Sequence, residues 1–504
     1  MQDPSDRSEK VSTESGRSAP RIPLWSLSED VLVEGDPGDD HVVVITRWGE
    51  TKIDDVDGTV RESLRRMSMG PISLGNVMTD NGAAEWKRLH RILGKLGGSV
   101  VHSLGTERGG APMLSVVPVA RDAVFEVADV DPTLPVRLSR FAALRSSDGE
   151  LLVESPLARF QVVLHRRMVS RVVVAMCAPT SIAELARALD IEQDVVADIV
   201  AYLVATGIVL LGRWQDREPA RVPRFAEDAD PALVRWSHHD LLFHARTRMG
   251  RHGGLTGVTF PHADTSPPPA VVKTPRTGPR YPLRRPSAED LAASDPPLLD
   301  VVENTRLCQE MHGPVSADQI GELLFRAARV RSVSPASAGR DHMYEVSDRP
   351  YLSINGLYEL EIYLCVNESS GLPRGIFHYH PQDHALTLVS DAENAMVEVL
   401  ENAMVGTGAA QWPPAMITIT ARVARSSWMY GGIAYSLTLT HVGALQQMLC
   451  ISATAMGLAA CVPAIDPGDA IDTALGLEWP AEVGVGEFVF GNRHPGLVRR
   501  ESPL

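Results

Sequence analysis

Cysteine is scarce and scattered: Cys177, Cys308, Cys365, Cys450 and Cys461 are odd in number and show no C-x-x-C spacing. A disulfide framework and a thiolate zinc site are thereby disfavoured, and reduced thiols of a cytoplasmic protein fit better. Several catalytic signatures are also missing. The chain has no G-x-x-x-x-G-K-[ST] phosphate loop, no H-E-x-x-H and no G-x-S-x-G nucleophile elbow. The stretch Gln2–Arg21 is polar and lacks an apolar signal core, so a secretory signal is not expected there and a disordered tail over 1–21 is. Net positive charge is absent too: the formal charge is −15, which argues against nonspecific binding of nucleic acid or of anionic membrane surfaces.

Charge of either sign vanishes from one long stretch. No Asp, Glu, Lys or Arg occurs between Arg425 and Asp466. A membrane span is one reading of such a run, but His441, Gln446, Gln447, Ser452, Thr454 and Pro463 interrupt it. Gly443, Ala444, Ala453, Ala455 and Gly457 suit close packing, so the expectation is a helix buried in a domain core or a subunit interface.

At 504 residues the chain exceeds one ordinary core and divides into several modules. Residues 22–147 read as a small α+β domain, with a strand at His41–Thr46 and a helix from Ala83 to Leu96 that stops at Gly97-Gly98. Residues 148–258 read as a winged-helix-like module. Ser181 and Glu184 form a capping box before Ile182, Leu185, Ala186 and Leu189, and a second helix follows through Val195, Ile199, Leu203 and Val204. The would-be recognition helix carries Glu192, Asp194 and Asp198 and no base, so a peptide or protein suits it better than DNA. Residues 259–297 are proline-rich and read as a linker. The basic run His244–Arg251 just before it is either a solvated segment or a contact for an acidic partner. Residues 298–504 read as a further α+β domain, with helices at Ala317–Ala328 and Asp391–Val405 and strands at Leu360–Val366, Met416–Ala421 and Val483–Gly491.

Gly406-Thr407-Gly408 looks like a fragment of a dinucleotide loop, but it follows a helical run and reads as a helix stop. His378, His380 and His384 have the density of a metal site. Alternation on a strand and turn explains them, and no metal is expected.

The carboxy-terminal domain resembles the SagB-type dehydrogenases, flavin enzymes of the nitroreductase superfamily that oxidise thiazolines and oxazolines in ribosomal peptides to thiazoles and oxazoles. The resemblance rests on Ile320–Arg331, Arg349–Leu364, Gly375–Pro381, Tyr430–Tyr435 and Gly443–Leu458, in the family's order. It extends upstream, where Leu24-Trp25-Ser26-Leu27 and the winged-helix-like module look like the peptide-clamp modules of the thiopeptide and cyanobactin branches. It implies an α+β fold with a nitroreductase-like FMN domain, FMN at a homodimer interface, a ribosomal precursor peptide carrying azolines as substrate, and a partner cyclodehydratase subunit. By the same resemblance Tyr430 is the catalytic residue. Arg306 is a phosphate ligand, Ser353 and Asn355 lie in a loop that reaches the flavin, and Gln447 is the polar residue of the interface helix. Gly457 and Leu458 form that helix's tip, and Arg493 is a second phosphate ligand.

Two departures from the family pattern fall on chemistry. Relatives carry Lys-Tyr where this chain has Met429-Tyr430, and a thioether cannot take a proton or lower a neighbouring phenol's pKa. Relatives carry R-R-S-x-R where this chain has Asn304–Glu310, which replaces the Ser by Leu307 or Cys308 and the last base by Gln309 or Glu310. The alternative expectation is therefore a flavin-poor scaffold that binds peptide or a synthetase subunit.

Overall fold

The computed structural model describes residues 21–36, 38–77, 82–106, 112–217, 220–338, 342–464 and 468–493. The tail expected over 1–21 lies, apart from Arg21, outside the described residues. The chain divides into two compact units, 1–254 and 255–504.

In the first unit a six-stranded antiparallel sheet runs in the order Arg21–Leu27, Val100–Thr106, Leu114–Pro118, Phe160–Leu164, Glu150–Glu154 and Ala143–Ser147. A three-stranded sheet (Leu32–Glu34, His41–Thr46, Gly49–Asp54) packs Val42, Val44 and Ile53 against Leu64 and Leu89 of the helices Gly58–Met67 and Gly82–Lys95. His41–Thr46 is thus a strand as expected, buried on alternate residues only. Further along, the Ser181–Glu184 capping box starts the helix Ile182–Leu189, and Asp190 ends it in a left-handed conformation. The helix Gln193–Ala205 and the strand Val209–Leu211 follow, and that strand pairs with Pro135–Leu138.

The second unit is built on a seven-stranded antiparallel sheet: Arg280–Pro282, Ala385–Ser390, Gly375–His380, Leu360–Val366, Ala415–Arg422, Glu482–Asn492 and Leu458–Cys461. Its central strands are buried on both faces because both faces are covered. Leu360, Ile362, Leu364 and Val366 pack with Leu323, Leu324, Leu445 and Leu449 of the helices Ala317–Ala328 and Ala434–Ala455. Tyr363 and Cys365, pointing the other way, pack with Met396, Val399 and Leu400 of the helix Glu393–Thr407. One pleated strand therefore feeds two cores. Gly408 closes that last helix at φ 68°, the stop expected from Gly406-Thr407-Gly408.

The proline-rich segment read as a linker runs along this second unit. The carbonyls of Pro269, Ala270 and Val271 accept from Arg425, Arg422 and Arg349 at 2.6, 2.7 and 3.0 Å. Arg280–Pro282 supplies an edge strand of the large sheet.

The uncharged stretch forms the helix Ala434–Ala455, 22 residues and so about 33 Å long. Thr438, His441, Val442, Leu445, Leu449, Ser452 and Ala453 make its buried stripe. Tyr435, Leu439, Gly443 and Gln447, spaced by four, are exposed. No described helix is long and apolar enough to cross a membrane.

Candidate functional site

Immediately before the long helix, Trp428, Met429 and Tyr430 are buried in a small apolar cluster with Leu357. Tyr430 pairs through the two-residue strand Tyr430–Gly431 with Gly257–Val258, which fixes its backbone. Its hydroxyl receives a hydrogen bond from Asn355 Nδ2 at 2.7 Å, and the same amide nitrogen lies 3.6 Å from Met429 Sδ. Burial pushes the phenol up to about 12, while the Asn355 hydrogen bond pulls the other way. No cation ranks among the influences on it. At neutral pH Tyr430 is a protonated phenol.

Asn355 sits in the turn Ile354–Gly356 with φ 58°, a left-handed conformation that Asn tolerates better than most residues. The turn is held from both ends. Ser353 Oγ accepts from Tyr358 N at 3.0 Å, so the Ser353 hydroxyl shapes the loop. Ile354 N donates to His441 Nε2 at 2.9 Å, and His441 Nδ1 lies 2.8 Å from Glu359 Oε1. Because Nε2 accepts, the ring proton sits on Nδ1 and is donated to the carboxylate. Burial is the largest influence on Glu359 and opposes its charge, but His441, a backbone N–H and Thr438 together outweigh it and hold the carboxyl below its usual range. Glu359 and His441 are both almost fully enclosed.

This carboxylate–imidazole pair was not anticipated from the sequence. The available signals were a His on the apolar face of an uncharged helix and a Glu at the entry of a largely apolar strand. Each group needs a buried partner.

The other expected site residues gather at the opposite end of the long helix. Gly457, exposed at φ 70°, turns the chain into the strand Leu458–Cys461, and a Cβ there would meet nothing within 4 Å. Arg493 Nε donates to the carbonyl of Leu458 at 3.0 Å. Cys308 N donates to the carbonyl of Ala460 at 2.8 Å, which lays the segment carrying Arg306 along the same strand. Arg306 is exposed and uses Nη1 on the carbonyl of Thr305. Arg493 beside the open glycine turn, and Arg306 on the segment tied to the same strand, are exposed guanidinium groups of the kind that pairs with phosphate.

Gln447 is exposed midway along the helix; its neighbour Gln446 turns inward to the carbonyl of Glu487. Tyr430, Asn355 and Ser353 are thus brought together, and so are Leu458 and Arg493, while Arg306 lies two residues from Cys308, which is tied to the same strand at Ala460. The two groups stand apart: His441 and Gly457 are sixteen residues from each other along the chain, about 24 Å at the helical rise.

The clustered histidines do not converge. His378 contacts Glu361 at 3.2 Å and His380 contacts Asp383 at 3.2 Å. His384 is bracketed by Tyr379 Oη and the carbonyl of Arg284.

Residues 314–491 match the nitroreductase family, and residues 136–253 match the cyanobactin oxidase ThcOx. A protein of Methanocaldococcus jannaschii that bears the name nitroreductase is 24% identical over 165 residues, 32% of this chain and 75% of that protein. Among solved structures, a nitroreductase-named protein of Ralstonia eutropha overlaps 45% of this chain and 98% of its own, at 19% identity and a TM-score of 0.34. A chain of the E. coli microcin synthetase McbBCD complex with truncated pro-MccB17 bound overlaps 37% of this chain and 67% of its own, at 20% identity and a TM-score of 0.30.

Proposed function

We propose, from a carboxy-terminal domain of the nitroreductase family preceded by a segment similar to a cyanobactin oxidase, that this chain is an FMN-dependent dehydrogenase. It oxidises azolines to azoles in a ribosomally synthesised peptide. The observation that carries the reading is the Tyr430–Asn355 pair: a buried phenol aimed by a braced amide, in a loop that by the family resemblance would reach the flavin. FMN, when bound, supplies the acceptor for the hydride lost as the azoline ring aromatises. Arg306 and Arg493 would hold its phosphate, with Gly457 and Leu458 at the turn beside it.

The separation of the two residue groups, about 24 Å at the helical rise, supports a homodimer in which one site draws on both copies. The exposed stripe Tyr435, Leu439, Gly443 and Gln447 carries no charge and suits a copy of itself across a twofold axis. Two such helices would bring Tyr430 of one copy toward the arginine corner of the other. The precursor peptide is the substrate, and a cyclodehydratase that makes its azolines is the partner of this reading.

The chain's own part in the proton step falls to Tyr430 Oη. The azoline loses a proton from one carbon and a hydride from its neighbour. With Met429 in place of a cation, Asn355 Nδ2–H is the group that stabilises negative charge on the phenol oxygen.

The test is azole formation on an azoline-bearing peptide, read as the mass loss of two hydrogens. Activity that disappears in Tyr430→Phe at unchanged melting temperature supports the reading; full activity in that variant contradicts it. A second reading, a flavin-poor scaffold that binds peptide or a synthetase subunit, is favoured by one observation. The phenol is held up to about 12 with no cation ranking among the influences on it.

A further inference from the structure

The basic run His244–Arg251 plays no part in the flavin chemistry. In the first unit the helix His238–Arg246 starts on Ser237, whose Oγ accepts from Asp240 N at 3.1 Å, and ends at Thr247. The chain then turns through Gly250 (φ 80°) and lays Arg248, Met249 and Arg251 around a cavity of about 450 Å³. Trp236, Leu241 and His244 line it as well. A volume of this size takes a few side chains of a ligand.

Three features of this cavity point to one kind of occupant. The first is apolar exposure: Met249 is 69% and Trp236 38% exposed, and the flanking Val234 and Phe243 are exposed too. Large apolar side chains exposed at a cavity in this way suit a contact site.

The second feature is unspent positive charge. Arg246 is paired to Glu154 at 3.6 Å, a carboxylate that also takes Arg145 at 3.1 Å. Among the described residues Arg248 and Arg251 form no ion pair, and no carboxylate lines the cavity. In a chain of net charge −15 this is a local reversal of sign.

The third feature is composition. Trp, Met and Arg are the residues enriched where proteins recognise other polypeptides. A phosphate backbone fits less well, because the surrounding chain repels it and the bases here are few.

We propose that this cavity binds an acidic polypeptide segment, with its carboxylates on Arg248 and Arg251 and one bulky apolar side chain against Trp236, Leu241 and Met249. The peptide substrate, at a position away from the ring being oxidised, is the natural source of such a segment under the oxidoreductase reading. The binding itself needs no flavin, so it is tested separately from that reading.

The experiment is fluorescence anisotropy on the full chain without added FMN. One labelled peptide carries Asp and Glu around a single Phe, and its counterpart carries Lys and Arg around the same Phe. The acidic peptide is expected to bind, more weakly as salt rises, and the basic one not to bind. Arg248→Glu with Arg251→Glu should weaken the acidic peptide by roughly tenfold or more and admit the basic one. Trp236→Ala should weaken the acidic peptide without changing its salt dependence. These side chains are exposed, and an unchanged circular dichroism melt confirms the fold of each variant. Equal binding of the two peptides, no binding of either, or acidic binding indifferent to the double reversal overturns the proposal.

Discussion

Replacing Met429 by Lys tests what Tyr430 does. Met429 is buried, its Sδ lies 3.6 Å from Asn355 Nδ2, and that nitrogen lies 2.7 Å from the phenolic oxygen. An ammonium at this position would stand roughly 4–6 Å from Tyr430 Oη, close enough to lower an acid's pKa by about 1–3. The phenol, now up to about 12, would then titrate that much lower. At a pH below both values the phenolate fraction rises about 10- to 1000-fold. If Tyr430 is the base, wild-type kcat/KM climbs about tenfold per pH unit on the alkaline side of neutrality. The Met429→Lys variant is faster at pH 7 and levels off at lower pH. Two assays follow this: azole formation by mass, and ultraviolet titration of the tyrosinate with Tyr430→Phe as the blank. Burying an ammonium destabilises the site, so the variant's melt must show that it stays folded. A variant whose Tyr430 titrates lower while its rate is unchanged, beside a pH-independent wild type, would refute the role of base.

Other consequences are as direct. His441→Ala strips Ile354 N–H of its acceptor and leaves the Glu359 carboxylate buried without its partner. A loss of about 1–3 kcal/mol or more in unfolding free energy is expected, measured by denaturant titration; Glu359→Gln, which keeps an oxygen for Nδ1–H, should cost less. Leu439→Arg puts a charge into the exposed helix stripe and should shift the chain to monomer in sedimentation, with flavin lost in parallel. Tyr430 and Tyr202 are each held up to about 12, above the value near 10 of an unfolded tyrosine. The folded chain keeps protons that the unfolded chain releases, so stability is intact below pH 10 and falls as pH rises from 10 toward 12. Melting temperatures across that window should drop, and Tyr430→Phe should reduce the drop.

Much of the second unit's fold was legible because its signals are local. Ala317–Ala328 has a Ser316–Gln319 capping box and an apolar stripe, and Leu360–Val366 is a run apolar at every position but Glu361. The proline-rich segment was not legible as part of this unit, since what ties it down is arginines far away in sequence, Arg349, Arg422 and Arg425, donating to its bare carbonyls. Composition marked it as extended; only the fold supplies its partners. The site divides in the same way. Tyr430 and the arginine corner came from matching short motifs. The links that give Tyr430 its chemistry, Asn355 to Tyr430 and His441 to Glu359, join residues 75 and 82 positions apart and leave no spacing to read.

The flavin content of the purified protein, read from its visible spectrum before and after incubation with FMN, bears most directly on the central claim. A yellow protein with FMN in near one-to-one ratio to chain is expected. Arg306→Ala or Arg493→Ala should weaken that binding by roughly ten- to a hundredfold, the loss of one charge-assisted contact worth about 1.5–3 kcal/mol. A colourless, folded protein that takes up no FMN would contradict the dehydrogenase and leave the peptide-binding scaffold as the account.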